Sequence, residues 1–166
     1  MAAEIRIRQV NDGDIKGIFE LSNQPSVRDS SFHGAAISWP EHVRWFLSVT
    51  TNPLCGFYVA EKDGMLAGQI RLFSEGHRVI VSISVDPRFR GMGVGASLYH
   101  AALDDFRRRW PVRQVIAKIK KRNAHSVAFF KKLGFVLASE ELINGEPALV
   151  MLDTFTDKER GSEVAQ

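Results

Sequence analysis

Cysteine is almost missing from this chain of 166 residues: Cys55 stands alone. A single thiol excludes an internal disulfide and a cysteine-based metal cluster, and no metal is expected. Long apolar runs are missing too. No window approaches the ~20 apolar residues of a membrane helix, and the opening MAAEIRIRQV has no apolar stretch of signal-peptide length. The expected compartment is therefore the cytoplasm, with no membrane partner. Charge of one sign is scarce: 22 Lys and Arg against 19 Asp and Glu leave a formal +3, which does not point to nucleic acid. There are only two tyrosines, and there is no repeat or low-complexity block. What is present, 45% hydrophobic and 25% charged residues, is the composition and size of one globular domain. A single domain is expected over residues 1–153, with a frayed tail over 154–166.

Periodicity and turn chemistry order the elements. Residues 4–10 alternate as a strand with Ile5, Ile7 and Val10 inward. Asn11, Asp12 and Asp14 can cap a helix whose apolar face holds Ile15, Ile18, Phe19 and Leu21. Residues 23–38 are small and polar and interrupted by Pro25 and Gly34, a long loop or broken helix of the kind that carries function. Ser38 caps the next helix, with Pro40 in its first turn, Glu41 closing a capping box, and Val43, Phe46 and Leu47 on the inner face. Three strands follow over 57–61, 66–73 and 78–86. The stretch RGMGVG then opens a helix from about Gly93 to Arg109. A strand over 112–119, a helix from Asn123 to Gly134 and a hairpin turning at Asn144-Gly145 complete the order. This is a mixed α/β (α+β) sheet flanked by helices.

A strand, an alternating-glycine turn and a helix bring unpartnered N–H groups and the positive end of a helix dipole to one point. Gly91, Gly93 and Gly95 remove the side chains that would keep an anion away. A tight turn with no ligand satisfies the same three glycines. The Walker lysine is missing, and GxGxG is not the dinucleotide spacing.

Arg90-Gly91-Met92-Gly93-Val94-Gly95 matches a Gln/Arg-x-x-Gly-x-Gly/Ala signature, with Val85-Asp86-Pro87 before it. Asn123, Ser126, Phe130 and Lys132-Leu133-Gly134-Phe135 stand in the register of a second block. On these residues the chain resembles the GNAT superfamily of acyl-CoA-dependent N-acyltransferases, from about residue 4 to 153. The resemblance implies a six- to seven-stranded mixed sheet, splayed at its centre, and acetyl-CoA as co-substrate. It implies that backbone N–H groups of Arg90, Gly91, Met92, Gly93, Val94, Gly95 and Ala96 hold the pyrophosphate. The main chain of Ile83, Ser84 and Val85 would pair with the pantetheine arm, and the Val85 N–H would face the acetyl carbonyl. Asn123, Ser126 and Phe130 would line the cofactor. Asn123 is equally a plain helix cap.

One position departs from the family. Many members carry a tyrosine, which protonates the leaving thiolate, where this chain has Phe130. Ser126 or water could serve instead, and Tyr99 is a further candidate. For the general base the chain offers His33, Glu75 and His77. Residues 23–46 resemble acetyltransferases of nucleotide-linked amino sugars, through Asn23-Gln24-Pro25, Val27-Arg28, Glu41-His42 and Trp45-Phe46. That resemblance implies a small-molecule amine acceptor held by Arg28, Ser31, His33 and His42. A peptide or protein N-acetyltransferase and a catalytically idle CoA-binding regulatory domain are the alternatives, and a homodimer is left open.

Overall fold

Two capping boxes start the helical layers. Asn11 and Asp14 cap each other's backbone at a 3-10 turn, Asp12–Asp14, which runs into α1 (Ile15–Ser22). Ser38 and Glu41 do the same for α3 (Trp39–Thr50). The computed structural model describes residues 4–155. The stretch between these two helices is neither all loop nor all helix: a short α2 (Pro25–Ser30) begins on its proline.

Seven strands form one sheet: β1 (Arg6–Gln9), β2 (Cys55–Lys62), β3 (Met65–Glu75), β4 (Arg78–Val85), β5 (Gln114–Lys120), β6 (Val136–Ile143) and β7 (Glu146–Thr154). Their spatial order is β1-β2-β3-β4-β5-β7-β6. Every neighbour is antiparallel except β4 and β5, which are parallel and are joined by the crossover helix α4 (Val94–Arg107). Helix α5 (Ala124–Lys132) joins β5 to the β6–β7 hairpin. Asn144 and Gly145, at φ 49° and 77°, make the tight turn that Asn-Gly announces.

The two faces of the sheet hold separate apolar clusters. On one, Leu98, Ala102 and Phe106 of α4 pack on Tyr58, Ile70, Leu72, Val79 and Val81. On the other, Ile18 of α1 and Phe46 of α3 pack on Phe57 and Val59. Each fully buried Leu, Ile or Phe contributes about 1.5–3 kcal/mol. Strand β7 continues to Thr154, and Phe155 packs beneath Arg107, whose guanidinium carbon is 3.6 Å from the ring centre. Of the expected tail, residues 156–166 lie outside the described residues.

Helix α3 turns a different face inward than its periodicity predicts. His42 (0% exposed) and Phe46 (1%) are buried, whereas Leu47 is 53% exposed. The reason is a partner on another helix: His42 Nε2 lies 2.7 Å from the Ile15 carbonyl oxygen. The ring sits among Phe19, Trp39, Trp45 and Phe46. Its Nε2 must carry the proton to donate, and Nδ1 is buried without a partner. Burial pushes the His42 pKa below the usual histidine range, only partly opposed by the carbonyl bond. The unfolded chain therefore takes up a proton near pH ~6.5 that the folded chain does not. The stability this contributes is complete above that pH and is lost as the pH falls below it. Urea midpoints should decline from pH 7 to pH 5. His42→Leu should be less stable at pH 7, because the Ile15 carbonyl loses its donor, but its decline with pH should be shallower.

Candidate active site

Strand β4 loses its partner halfway along. Its parallel pairing with β5 covers only Arg78↔Gln114 through Val81↔Ala117, although the strands continue to Val85 and Lys120. Pairing with β3 continues on the other edge to Gly68↔Val85, and the Asp86 N–H donates to the Ala67 carbonyl at 2.8 Å. Alternation then turns the N–H groups of Ser82 and Ser84 towards β3, and those of Ile83 and Val85 towards the open edge. This corrects one expectation: Ser84 presents its side chain to the α1–α3 face, not its main chain to the gap. The Val85 carbonyl accepts from Arg90 Nε at 3.1 Å.

The open edge leads into the glycine turn. Asp86 caps the 3-10 turn Pro87–Phe89 and pairs with Arg88 at 2.9 Å. Gly91 and Gly93 adopt φ 74° and 79°, and a Cβ on either would stand in open space. Gly93 is the N-cap of α4, which no side chain caps, so the first N–H groups of the helix, from Val94, Gly95 and Ala96, have no intrahelical acceptor. Met92 is exposed beside them. A phosphate fits this arrangement by charge and by shape. Gly95 serves another purpose than expected. A Cβ there would lie 2.8 Å from the ring of Phe129, so this glycine admits α5 rather than an anion.

On α5, Asn123 is the N-cap and accepts from the Ser126 N–H at 3.2 Å. Its Nδ2 donates to Ser126 Oγ at 3.0 Å and to Ser30 Oγ at 3.2 Å. The Ser126 hydroxyl thus accepts one bond and keeps its own proton. Phe130 does not face open space. It is 5% exposed and packs on Phe135 with ring centres 4.9 Å apart, while its neighbour Phe129 lies against Gly95. Tyr99 is also core: its hydroxyl donates to Asp153 at 2.9 Å, and burial raises its pKa. Tyr58, the second tyrosine, donates to Asp105 at 2.7 Å and is pushed up to about 12. Neither tyrosine takes the place of the missing one.

The segment 23–37 spans the parted strands. Arg90 reaches Ser26 Oγ at 2.9 Å on the β4 side. On the β5 side, Asp29 pairs with Arg122, its carbonyl accepts from Lys120 Nζ at 2.7 Å, and Asn144 donates to the Phe32 carbonyl. Three expected acceptor residues are engaged within this strap. Arg28 donates from Nε to the Ser22 carbonyl (2.6 Å) and from Nη1 to those of His33 and Ala35 (2.9 and 3.4 Å). Two of its three nitrogens are therefore unavailable to a bidentate anion. Ser31 Oγ accepts from the His33 N–H. Nδ1 of His33 lies 3.3 Å from Asn144 Nδ2, so this ring nitrogen already has a partner within the protein. His42, the fourth, is sealed in the core. Glu75 and His77 lie at the far end of β4, more than ~20 Å from Val85 at 3.3 Å per residue.

Two residues that sequence reading passed over stand on the face Ser82 and Ser84 share. Gln69 is buried and donates to Ser22 Oγ at 3.1 Å. Arg71 donates to Ser82 Oγ at 3.0 Å and lies over Trp45, 4.8 Å from its ring centre. The signal was the period of two along β3, which puts Gln69, Arg71 and Phe73 on one side. Among the described residues no group of three or more His, Cys, Asp or Glu could hold a metal ion, and no helix is long and apolar enough to cross a membrane.

The contact between Gly95 and Phe129 can be tested by itself. Gly95→Ala should cost about 1–3 kcal/mol by overpacking. In a Phe129→Leu background the same substitution should cost clearly less, as read from urea midpoints of the four proteins.

The chain was compared with known proteins. A Bacillus subtilis protein provisionally named a [ribosomal protein bS18]-alanine N-acetyltransferase is 24% identical over 166 residues, covering 95% of this chain and all of the relative. An N-alpha-acetyltransferase of Sulfurisphaera tokodaii is 29% identical over 147 residues, 80% of each chain. Among solved structures, spermidine N-acetyltransferase from Vibrio cholerae, with CoA and spermine, superposes with TM-score 0.78 at 19% identity, over 90% of this chain and 95% of that one. The pattern of the acetyltransferase (GNAT) family matches residues 18–135. With its parted seven-stranded sheet and glycine turn, the chain belongs to the GNAT acetyltransferase family and is an acetyl-CoA-dependent N-acetyltransferase.

Proposed function

We propose that this enzyme acetylates the primary amine of a nucleotide-linked amino sugar. The observation that carries the reading is a cationic acceptor face: Arg28 stands close enough for its charge to act against that of Arg71, and neither has a carboxylate partner among the described residues. An anionic acceptor supplies what the protein leaves out.

The open N–H groups of Ile83 and Val85 bind along the pantetheine arm. The Val85 N–H holds the thioester carbonyl and stabilises the oxyanion as the amine nitrogen bonds to the carbonyl carbon; one such donor is worth ~3 kcal/mol. The main chain of Gly91 to Ala96 holds the pyrophosphate. When the carbon–sulfur bond breaks, the Ser126 hydroxyl, held through its oxygen by Asn123, gives its proton to the thiolate and takes one back, directly or through solvent, from the ammonium nitrogen of the tetrahedral adduct, so that the amine's proton ends on the CoA sulfur. Phe130 supports α5 from within the core.

The N-terminal α-amine of a protein is the second reading, favoured by the likeness to the Bacillus subtilis and Sulfurisphaera tokodaii relatives. CoA release measured with UDP- and dTDP-amino sugars and with N-terminal peptides separates the two. Turnover of a nucleotide sugar at tenfold or greater kcat/KM over any peptide is expected, and the reverse order would overturn the amino-sugar reading. For the cofactor, acetyl-CoA at a hundred times its Kd should stabilise the protein by about 2.7 kcal/mol. Gly93→Glu should abolish that thermal shift by setting a carboxylate in the open space at the α4 N-terminus. Ser126→Ala should lower kcat and leave the KM for the amine largely unchanged.

A further inference from the structure

We propose that Arg71 and Gln69 form the acceptor-recognition site, Arg71 taking a carboxylate or phosphate of the acceptor and Gln69 a second polar group about 7 Å further along β3. This rests on the reading that the amine enters from the face of the sheet that carries Ser82 and Ser84.

Arg71 is set up for a ligand in a way that Arg28 is not. It is half-buried on a central strand, with one flat side over Trp45 and one nitrogen on Ser82 Oγ. Those contacts fix the plane of the guanidinium without neutralising it. Burial, first, and then the like charge of Arg28 act against its proton, with the nearby Cys55 thiol acting the other way. A desolvated cation without a counter-charge is costly unless something anionic completes it. A fixed guanidinium plane suits the two oxygens of a carboxylate or phosphate.

Its place in the register sets the reach. Arg71 pairs with Ser82, the first residue of β4 beyond the last pair with β5. From there to Val85 is three residues, about 10 Å of strand. The strand positions of the anion site and of the Val85 N–H are therefore about 10 Å apart.

Gln69 lies between those points, paired with Ser84 on the same face. It is 5% exposed, and while its Nε2 reaches Ser22, its Oε1 has no partner. Turning the amide over only exchanges which end is left unpaired, so the site is short of one hydrogen bond either way. A hydroxyl or amine of a bound acceptor would complete it.

The test uses one amino sugar in three forms: its nucleotide diphosphate, its 1-phosphate and its neutral methyl glycoside, with an acidic N-terminal peptide as a fourth acceptor. The wild-type enzyme should prefer the phosphorylated forms to the methyl glycoside. In Arg71→Gln the ratio of kcat/KM for phosphorylated over neutral sugar should fall at least tenfold, and Arg71→Lys should recover part of it. Gln69→Leu should raise the acceptor KM and leave that ratio in place. The thermal shift with acetyl-CoA, retained in each variant, shows that the fold is intact. No anionic preference in the wild type, or an unchanged ratio in Arg71→Gln, would overturn the proposal. If only the 1-phosphate or the acidic peptide is acetylated, and Arg71→Gln lowers its advantage, the nucleotide reading fails while the Arg71 site stands.

Discussion

The rest of the molecule depends on one unmade set of hydrogen bonds. Strand β4 keeps its antiparallel partner along its full length but parts from β5 after Val81. An unsatisfied backbone group costs on the order of 1–3 kcal/mol when buried, so a strand edge is left open in mid-sheet only where the surrounding packing forces it. Here α4, which connects the two strands, buries Leu98, Ala102 and Phe106 against the sheet on the β3 side of the parting, while α5 closes on Gly95 through Phe129. The open N–H groups of Ile83 and Val85 follow from this parting, and the uncapped start of α4 follows from Gly93 at its N-cap.

Charge is distributed to match. Where the strap over residues 23–37 crosses to the β5 side, every cation has a counter-charge: Lys120, 5% exposed, pairs with Glu146 at 3.1 Å, and Arg122 with both Asp29 and Glu146. Those partners keep the Asp29 and Glu146 carboxyls below the usual range, through Arg122 first in both cases. Across the strap, Arg28 and Arg71 have no such partner. Arg28 is held by three carbonyls and shapes the strap, whereas Arg71 retains donors. One end of the segment is thus sealed by the protein's own charges, and the other is left cationic beside the open edge of β4.

Much of the fold was legible in the sequence because its signals are local. The boxes Asn11–Asp14 and Ser38–Glu41, the positive-φ turn at Asn144-Gly145 and the glycine turn before α4 each act within a few residues, so their chemistry is complete in the order of amino acids. The alternation of β4 likewise put Ile80, Ser82 and Ser84 on one face.

The tertiary structure decided which side chains remain free. Arg28 and His33 look like ligands in sequence, yet the way the strap folds turns carbonyls five to seven residues away onto Arg28, and the distant Asn144 amide meets His33. His42 reads as an acceptor ligand in sequence, but the Ile15 carbonyl draws it into the core. Gly95 fits an anion site by spacing, but its missing side chain is required by Phe129, 34 positions further along the chain. Arg71 shows the converse, since only the pairing of β3 with β4 at the edge of the split gives it a position of consequence. A residue's hydrogen-bonding capacity is written in its type. Whether that capacity is used up inside the protein depends on neighbours that only the folded chain assembles.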